Sequence, residues 1–468
     1  MNNTSLQSAI QYAHDHRDRF RAEFEDLLRI PSISMDAAHQ ADIEHCADVL
    51  VAEMSRIGLE NCRVIATRGH PVVYGEWLHA GDNKPTILLY AHYDVQPIAR
   101  PDLWDSPPFE PTMRDGKLYA RGCVDDKCSV WGNLKAFEAM LAANGALPVN
   151  VKVFFEAEEE LGSPNVQPFV VANKDLLNAD TLLLSDGPFV PEQPVIGYTV
   201  RGTVMAEVTV HGPPHDLHSG RYGGAVQNPL HVVANIIASL HDTSGRVQIA
   251  GFYDDVRPLT DEERALLDEM WQTVGASLEA AAGVEHFWGQ AMGSFAERTT
   301  ALPTLDVNGL WGGHSGDGIQ SIIPSSAGFK VTIRIVADQN PHKVGELFKQ
   351  HVLSFADETV TIAVNLLDVS WPFTMAADGA PIEALQRAFE ATLGRRAMLL
   401  RHGGALPIGG MFQHELGIPM TMLGFGAGDN SHAPNEYIAV DNWHLAIATA
   451  IHFYHHLADT MMNVGNTS

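Results

Sequence analysis

The chain has 468 residues, of which 45% are hydrophobic and 19% charged, a composition typical of a globular protein and a length that predicts two domains. Its 57 aspartates and glutamates outnumber its 30 lysines and arginines, and the net charge of -27 argues against nucleic acid or an anionic membrane as a partner. The sequence has no membrane-length apolar run, no signal segment and too few cysteines for a disulfide framework, so we expect a cytoplasmic protein.

Two helices are predicted at the start of the chain. Apolar residues recur at helical spacing over 5–30, and Pro31 ends this first segment. A second amphipathic helix is predicted over 41–57, and Gly58 ends it.

Four short apolar runs then predict buried strands, at 86–91, 151–155, 181–184 and 420–425. A helix predicted over 125–143 separates the first two of these runs. The alternation of buried strands and helices indicates an α/β sheet.

The middle of the chain has a different pattern. Apolar and polar residues alternate over 203–211 and over 329–335, which predicts strands with one wet face, and 229–240 has the spacing of an amphipathic helix. These elements predict an α+β domain inserted into the α/β domain. The expected boundaries are 1–200 and 371–468 for the α/β domain and 201–370 for the insertion.

Side chains of metal-ligand type follow each of the four predicted buried strands. Ligands collect at the carboxyl ends of the strands in open α/β sheets, so these side chains would converge at one rim if the strands are parallel neighbours. They are His92 and Asp94 after the first strand, Asp125 and Asp126 at the helix start, Glu158, Glu159 and Glu160 after the second strand, Asp186 after the third, and Asp429 and His432 after the fourth.

Histidines together with carboxylates suit zinc or a similar divalent ion. Two ions that share a bridging carboxylate can act on both sides of a hydrolysis, and a further glutamate can move a proton from water to the leaving nitrogen. Of the adjacent residues Glu159 and Glu160, one could be the ligand and the other the base. Each piece alone has a simpler interpretation as a solvated histidine, a helix cap or a charged turn. Their coincidence at four strand ends and one helix start predicts a metal site.

Several short motifs stand in a set order across nearly the whole chain. They are PSIS (31–34), AHYDVQP (91–97), ARGCVDDK (120–127), EAEEELGS (156–163), SDG (185–187), DLHSG (216–220), RHGG (401–404) and SHAPNE (431–436). In this order they resemble the clan MH metallopeptidases and amidohydrolases, which include carnosine dipeptidases, acetylornithine deacetylase, succinyl-diaminopimelate desuccinylase, aminoacylase and carboxypeptidase G. The HYDVQP and DDK forms favour the dipeptidase branch. The resemblance implies an α/β catalytic domain with a mixed sheet and an inserted α+β domain that serves as lid and dimerisation domain.

Position by position, the resemblance implies a set of metal ligands. His92 and Asp186 would hold one metal ion, and Glu160 and His432 would hold the other. Asp125 would bridge the two. The implied cofactors are two divalent ions, with zinc as the first expectation and manganese or cobalt as alternatives.

The resemblance also implies roles beside the metals. Glu159 would be the general base, and Asp94 would orient a metal-bound histidine through its ring N–H. His218 matches a histidine that, in dimeric relatives, reaches the partner's active site and polarises the scissile carbonyl, so a homodimer is implied. Arg334 matches an arginine that binds a substrate carboxylate, and its alternative interpretation is a solvent-facing strand residue.

The motif at 401–404 implies that Gly403 and Gly404 bring backbone N–H groups close to the substrate. Two positions depart from the family pattern. Cys128 stands where many dipeptidase relatives have glycine, and Ala405 stands where some have a serine that contacts substrate. The missing hydroxyl at Ala405 would weaken recognition of a free C-terminal carboxylate, so substrate preference stays open.

Two enzyme functions fit the same centre: a dipeptidase acting on short peptides with a free C-terminal carboxylate, and an N-acyl-amino-acid amidohydrolase. A non-catalytic homologue used for binding is disfavoured because every expected ligand and the base are present. A two-metal phosphatase is disfavoured because phosphate calls for basic residues and this chain is acidic. The expected partners are a small peptide or N-acyl amino acid and a second copy of the chain, with neither nucleic acid nor membrane.

Overall fold

A computed structural model describes residues 3–289 and 292–464 of the chain. Its helices are α1 (Asn3–Asp15), α2 (Arg17–Leu28), α3 (Gln40–Ile57), α4 (Lys127–Asn144), α5 (Val166–Ala172), α6 (Lys174–Leu177), α7 (Ser219–Tyr222), α8 (Pro229–Ser239), α9 (Asp261–Ala282), α10 (Pro341–Leu353), α11 (Ala380–Leu393), α12 (Pro407–Leu416) and α13 (Val440–Val464). Its strands are β1 (Glu60–Ile65), β2 (Val72–Trp77), β3 (Thr86–His92), β4 (Thr112–Arg114), β5 (Lys117–Tyr119), β6 (Asn150–Glu156), β7 (Thr181–Leu184), β8 (Val195–Val200), β9 (Gly202–His211), β10 (Leu217–His218), β11 (Thr304–Gly312), β12 (Ile322–Ile323), β13 (Ser326–Ile335), β14 (Thr361–Ser370), β15 (Phe373–Thr374), β16 (Met398–His402), β17 (Met420–Met422), β18 (Gly428–Asp429) and β19 (Tyr437–Ala439).

The chain divides into two compact units, each built from segments that are separate in sequence. The first unit contains Met1–Tyr198, Met375–Leu399 and Phe412–Ser468, and the second contains Thr199–Thr374 and Leu400–Met411. The expected boundaries near 200 and 370 lie close to two of the points where the chain passes between units. Segment 400–411 lies within the range 371–468 expected for the α/β domain, but it groups with the second unit.

The single helix predicted over 5–30 is instead two helices, α1 and α2, that meet at His16. His16 departs from helical geometry with a φ of -107° and a ψ of 10°, and its ring Nδ1 lies 2.8 Å from the carbonyl oxygen of Tyr12. The apolar face of α2 is buried as predicted, including Phe20 and Phe24. The second predicted helix is α3, and Gly58 ends it in the left-handed conformation with a φ of 102°.

The first unit is built on a six-stranded mixed sheet in the order β1-β2-β6-β3-β7-β17. The four strands that contain the predicted apolar runs are parallel neighbours, whereas β2 pairs with both β1 and β6 in the antiparallel sense. Strands β3 and β7 are buried along nearly their whole length, which is why they read as uninterrupted apolar runs. The prediction of a mixed-sheet α/β fold is confirmed.

Helix α4 lies in the core of the first unit, packed against α1, α13 and β3, and its residues 127–140 are all buried. Cys123 and Cys128 lie next to its start. Both are fully buried free thiols, as expected for small core residues. Among the described residues, no helix combines the length and the apolar character needed to cross a membrane.

The second unit contains an antiparallel four-stranded sheet in the order β11-β13-β9-β14. Helices α8 and α10 pack against this sheet. The residues that alternate in sequence also alternate in burial: Val204 and Val208 of β9 face the apolar core, and Ile333 and Phe329 of β13 lie opposite them in the register. Period-two alternation therefore identified the apolar face of both strands.

Candidate metal centre

Most of the acidic and histidine side chains singled out in the sequence follow the parallel strands of the first unit. Strand β3 ends at His92, with Asp94 two residues further on. Glu159 and Glu160 follow β6, and Asp186 follows β7. Because β6, β3 and β7 are parallel neighbours, their carboxyl ends lie at one edge of the sheet.

Two groups of possible ligands share one aspartate. Single ligand atoms of His92, Asp125 and Asp186 lie within 4.8 Å of one another, and so do those of Asp125, Glu160 and His432. The Nε2 atom of His92 lies 3.2 Å from one carboxylate oxygen of Asp125, and the Nε2 atom of His432 lies 2.9 Å from the other. Asp125 thus contacts both histidines, as a bridging carboxylate must.

His432 reaches this cluster from a second, smaller sheet rather than from the end of β17. The strand predicted over 420–425 ends at Met422, and the chain then forms β18, which pairs with β19. His432 follows β18 with a φ of 60°, and its Nε2 lies 3.2 Å from a carboxylate oxygen of Glu160. Asp429 is exposed and belongs to neither ligand group, so its position three residues before His432 does not indicate a metal ligand.

Asp94 connects a ligand histidine to the turn that carries the two glutamates. Its side chain is fully buried, and one oxygen lies 3.2 Å from Nδ1 of His92. The same carboxylate accepts hydrogen bonds from the backbone N–H groups of Glu159, at 3.3 Å, and Glu160, at 3.2 Å. Asp94 therefore sets the orientation of the His92 ring and the position of the glutamate turn together.

Glu436 organises the loop that carries Asp125, although no role was predicted for it. Its buried carboxylate accepts hydrogen bonds from the backbone N–H groups of Gly122, Val124 and Asp125 and forms an ion pair with Arg121 at 2.5 Å. The SHAPNE motif includes this glutamate, which was the only signal available for it. Its partners lie more than three hundred positions earlier in the chain.

The cluster concentrates negative charge at buried positions. Burial raises the pKa of Asp186 to about 7, and the carboxylates of Asp125 and Glu159 add to this effect against the opposing charge of His92. Burial and the charge of Asp125 likewise raise the pKa of Glu160 to about 7. Neutralising these groups with bound cations would remove the cost of bringing the carboxylates together.

Glu159 lies beside the ligand groups and belongs to neither of them. Its side chain is half-buried. Burial raises the pKa of its carboxyl, which the charges of Asp94 and Asp125 raise further and those of His92 and His432 lower. A carboxyl whose pKa is moved towards neutrality is suited to exchanging protons near physiological pH.

The donor set fits a pair of divalent cations. One oxygen of Glu160 is buried and has no hydrogen-bond partner within the described part of the chain. Imidazole nitrogen and carboxylate oxygen are ligands that zinc and similar ions accept.

Another acidic group in the first unit already has a cation at its centre. Glu23, Glu53 and Glu138 surround the buried ammonium of Lys135, which lies 2.6 Å from Glu53 and 3.1 Å from Glu138. This group is a buried ion-pair network of the protein's own residues, in contrast to the cluster around Asp125.

His218 belongs to the second unit and lies at the start of α7. Its side chain is exposed, and its Nδ1 accepts a hydrogen bond of 3.0 Å from the backbone N–H of Gly220. The catalytic role expected for this histidine stays a prediction.

The three residues expected to bind substrate also belong to the second unit. Arg334, on β13, is half-buried and donates from Nη1 to the hydroxyl of Thr203 at 2.9 Å. Gly403 and Gly404 follow β16, and the carbonyl of Gly403 accepts a hydrogen bond of 2.7 Å from Nε of Arg201. The sequence had not singled out Arg201, and the substrate-binding roles of the other three stay predictions.

The sequence of this chain is similar to a known protein family and to characterised relatives. The model of peptidase family M20/M25/M40 matches residues 88–459. The Cys-Gly metallodipeptidase DUG1 of Candida albicans is 31% identical, covering 94% of this chain and 94% of the relative. The Beta-Ala-His dipeptidase of Mus musculus is 30% identical, covering 79% of this chain and 76% of the relative.

Solved structures lead to the same family. The M20 family metallo-carboxypeptidase Sso-CP2 from Sulfolobus solfataricus superposes with a TM-score of 0.78 and 32% identity, covering 94% of this chain and 99% of that one. Human carnosine dipeptidase 1 superposes with a TM-score of 0.72 and 26% identity, covering 97% and 99% of the two chains. These similarities extend over the whole fold rather than over isolated motifs.

Proposed function

Because the chain belongs to peptidase family M20/M25/M40, we propose that it is a metallodipeptidase that hydrolyses dipeptides or short peptides with a free C-terminal carboxylate. The observation that carries the proposal is that two ligand groups share Asp125, with Glu159 beside them and in neither group. Relatives named as Cys-Gly and Beta-Ala-His dipeptidases support dipeptides as the substrate class.

We assign His92 and Asp186 to one metal ion, Glu160 and His432 to the other, and Asp125 to both. When bound, the two ions polarise the scissile carbonyl and make the attacking water more acidic. We propose zinc as the native metal, with manganese or cobalt as alternatives, because the donor set combines imidazole with carboxylate.

Glu159 is proposed as the general base. It takes a proton from the attacking water as the new C–O bond forms, and it delivers that proton to the leaving nitrogen as the C–N bond breaks. Asp94 is proposed as a positioning residue, because its carboxylate contacts the His92 ring and the backbone of Glu159 together.

The first test compares hydrolysis by the wild-type protein and by Glu159→Gln on a panel of dipeptides and N-acyl amino acids, with metal content measured for both proteins. We expect the variant to keep its metal and to lose activity by about a thousandfold, the size of a general-base contribution. Glu110→Gln, at an exposed glutamate, is the matched control. An unchanged rate in Glu159→Gln would contradict the assignment, and a panel in which only N-acyl amino acids react would favour the amidohydrolase function.

We further propose that the protein acts as a homodimer in which His218 serves the partner's centre. Mixing His218→Ala with Glu159→Ala, each weakly active alone, should then restore activity, because mixed dimers hold one complete site. The control mixes Glu159→Ala with Asp125→Asn, which leaves no complete active site, because one chain lacks the base and the other lacks the bridging ligand, and this mixture should stay inactive. If the first mixture also stays inactive, His218 does not act across a dimer.

Cytoplasmic location is proposed from the cysteines. All four are free, and three of them are buried, as expected in a reducing compartment. Fractionation of cells that express the protein tests this location.

A further inference from the structure

A row of polar residues crosses the sheet of the second unit near one end. Thr304, Arg334, Thr203 and Ser370 are neighbours in the register across β11, β13, β9 and β14. The adjacent Ile333 points to the opposite face, into the apolar core. The hydroxyl of Ser370 is buried and has no hydrogen-bond partner among the residues that the structure describes. Buried polar groups are normally paired, so this row is suited to receiving a polar ligand.

Arg201 lies on the same side of the sheet as this row. It precedes Thr203 by two residues, and side chains two apart on an extended chain point to the same face. Only 8% of Arg201 is exposed. Its Nε donates to the carbonyl of Gly403 at 2.7 Å and its Nη1 to the carbonyl of Leu302 at 3.3 Å. Arg201 thus ties the loop at 403–404 to the end of the sheet that carries Arg334.

Two positive charges therefore lie near each other at a covered position. Burial lowers the pKa of Arg201 to about 10, and the charge of Arg334 lowers it further, opposed in part by Asp306. In these contacts Arg201 donates to two carbonyl oxygens and Arg334 donates to a hydroxyl, and all of these partners are neutral. Buried like charges are costly unless an ion of opposite sign joins them, and a carboxylate fits the planar arginine fork.

We infer that Arg201 is a positioning residue of a carboxylate subsite, where it fixes the Gly403 peptide and, with Arg334, selects substrates that have a free C-terminal carboxylate. The inference rests on the proposed function for the identity of the anion. Holding the Gly403 carbonyl also sets the direction of the Gly404 N–H, because the two groups of a trans peptide point in opposite directions. The charge of Arg201 adds to that of Arg334, whose remaining N–H groups are the donors to the carboxylate.

The kinetic test compares alanylglycine with alanylglycinamide, which lacks the carboxylate, on Arg201→Lys and Arg201→Gln. The loss of a charged hydrogen-bond network lowers kcat/KM for the free dipeptide by about tenfold in Arg201→Lys and about a hundredfold in Arg201→Gln. The amide should change by less than about threefold, because it cannot use the carboxylate subsite. Equal losses for both substrates, or no loss for either, would overturn the inference.

The matched control is Arg298→Lys, since Arg298 also donates to two backbone carbonyls, of Gly293 and Trp288, in the second unit. It should behave as wild type with both substrates. If Arg201→Lys and Arg298→Lys lower the melting temperature by the same amount, that fall reflects the loss of an arginine that holds two backbone carbonyls.

A second arm measures anion binding without catalysis, as the melting temperature of the purified full chain with N-acetylglycine or N-acetylglycinamide. The free acid should stabilise the wild type and Arg298→Lys but not Arg201→Gln, and the amide should stabilise none of them. If the wild type cleaves no dipeptide and still shows this pattern, the proposed function fails and the carboxylate subsite stands. If it cleaves dipeptides and N-acetylglycine has no Arg201-dependent effect, the subsite is wrong and the proposed function stands.

Discussion

The two units of the chain concentrate charges of opposite sign. In the first unit, Asp125, Glu160 and Asp186 gather around two histidines at the edge of a parallel sheet. In the second unit, Arg201 and Arg334 lie near each other at the end of an antiparallel sheet. In both regions like charges are buried close together, and their repulsion and loss of hydration lower the stability of the folded chain.

Each region is therefore suited to a counterion from outside the chain. The acidic cluster suits divalent cations, whereas the arginines suit a carboxylate. By contrast, the Glu23, Glu53 and Glu138 group needs no outside ion because Lys135 lies at its centre. The net charge of -27 does not reveal this difference between the two units, because it is a sum over the whole chain.

The largest effect is expected from removing the shared carboxylate of the first unit. Asp125→Asn should lose bound metal and about a thousandfold in kcat/KM, which corresponds to about 4 kcal/mol of transition-state stabilisation. Elemental analysis and dipeptide hydrolysis measure both effects. Asp82→Asn, at an exposed aspartate of the first unit that lies in neither ligand group, should keep its metal and rate. Two retained metals in Asp125→Asn would refute the bridging assignment.

A smaller effect is expected where the ligand itself is kept and only its orientation is lost. Asp94→Asn keeps the shape of the side chain but weakens its hold on His92 and on the backbone of Glu160. Metal affinity should fall by about ten- to a hundredfold, as is usual when a partner of a ligand histidine is changed. Competition with a chelator measures this affinity, and a value equal to that of the wild type would show that Asp94 has no orienting role.

Acidification should weaken metal binding, because protons compete with the metal for the ligand carboxylates. The pKa values of Glu160 and Asp186 are raised to about 7, so in the metal-free protein both carboxyls hold protons below that pH. Metal must displace these protons, and apparent affinity should fall by about tenfold per pH unit for each proton displaced. Titrations at pH 6, 7 and 8 would test this, and Asp186→Asn should reduce the slope. A flat profile would contradict the raised pKa values.

The sign of the accompanying stability effect follows from the same two groups. Because their pKa values are raised on folding, the folded metal-free chain binds more protons than the unfolded chain between the ordinary carboxyl range and about pH 7. Their contribution to stability is therefore present at low pH and is lost as the pH rises through that window. Bound metal should reverse this loss, so its stabilisation should grow from pH 6 to pH 8.

The smallest expected effect is in the second unit. Arg334→Lys keeps the positive charge and loses the planar fork, which should raise KM for a free dipeptide about fivefold, or about 1 kcal/mol, with kcat little changed. Steady-state kinetics on alanylglycine check this. Lys330→Ala, at an exposed position on the same strand, should match the wild type. A change confined to kcat would place Arg334 at a step other than carboxylate binding.

Much of the first unit was predictable because its strands are buried on both faces. Such strands read as apolar runs, so the polar residues that follow them, His92, Asp186 and the glutamates at 159–160, were conspicuous. The alternation of β9 and β13 was equally visible, since one face of each strand is apolar core. Local patterns were sufficient in both cases because burial acts on residues close together in the chain.

Other features depended on contacts between distant segments. The support of the Asp125 loop rests on Glu436, more than three hundred positions later in the chain. The role proposed for Arg201 could not be predicted from the sequence, because it depends on a contact with the Gly403 carbonyl two hundred residues away.

The strand types, the chemistry of the ligand residues and their order along the chain can thus be read from local patterns in the sequence. Which of these residues meet depends on the folded structure. It brought His432 in from a small separate sheet, left Asp429 outside both ligand groups, and brought Arg201 within hydrogen-bond distance of the Gly403 carbonyl. This difference arises because sequence periodicity reflects the burial of neighbouring residues, whereas a site is defined by distances between segments that only folding brings together.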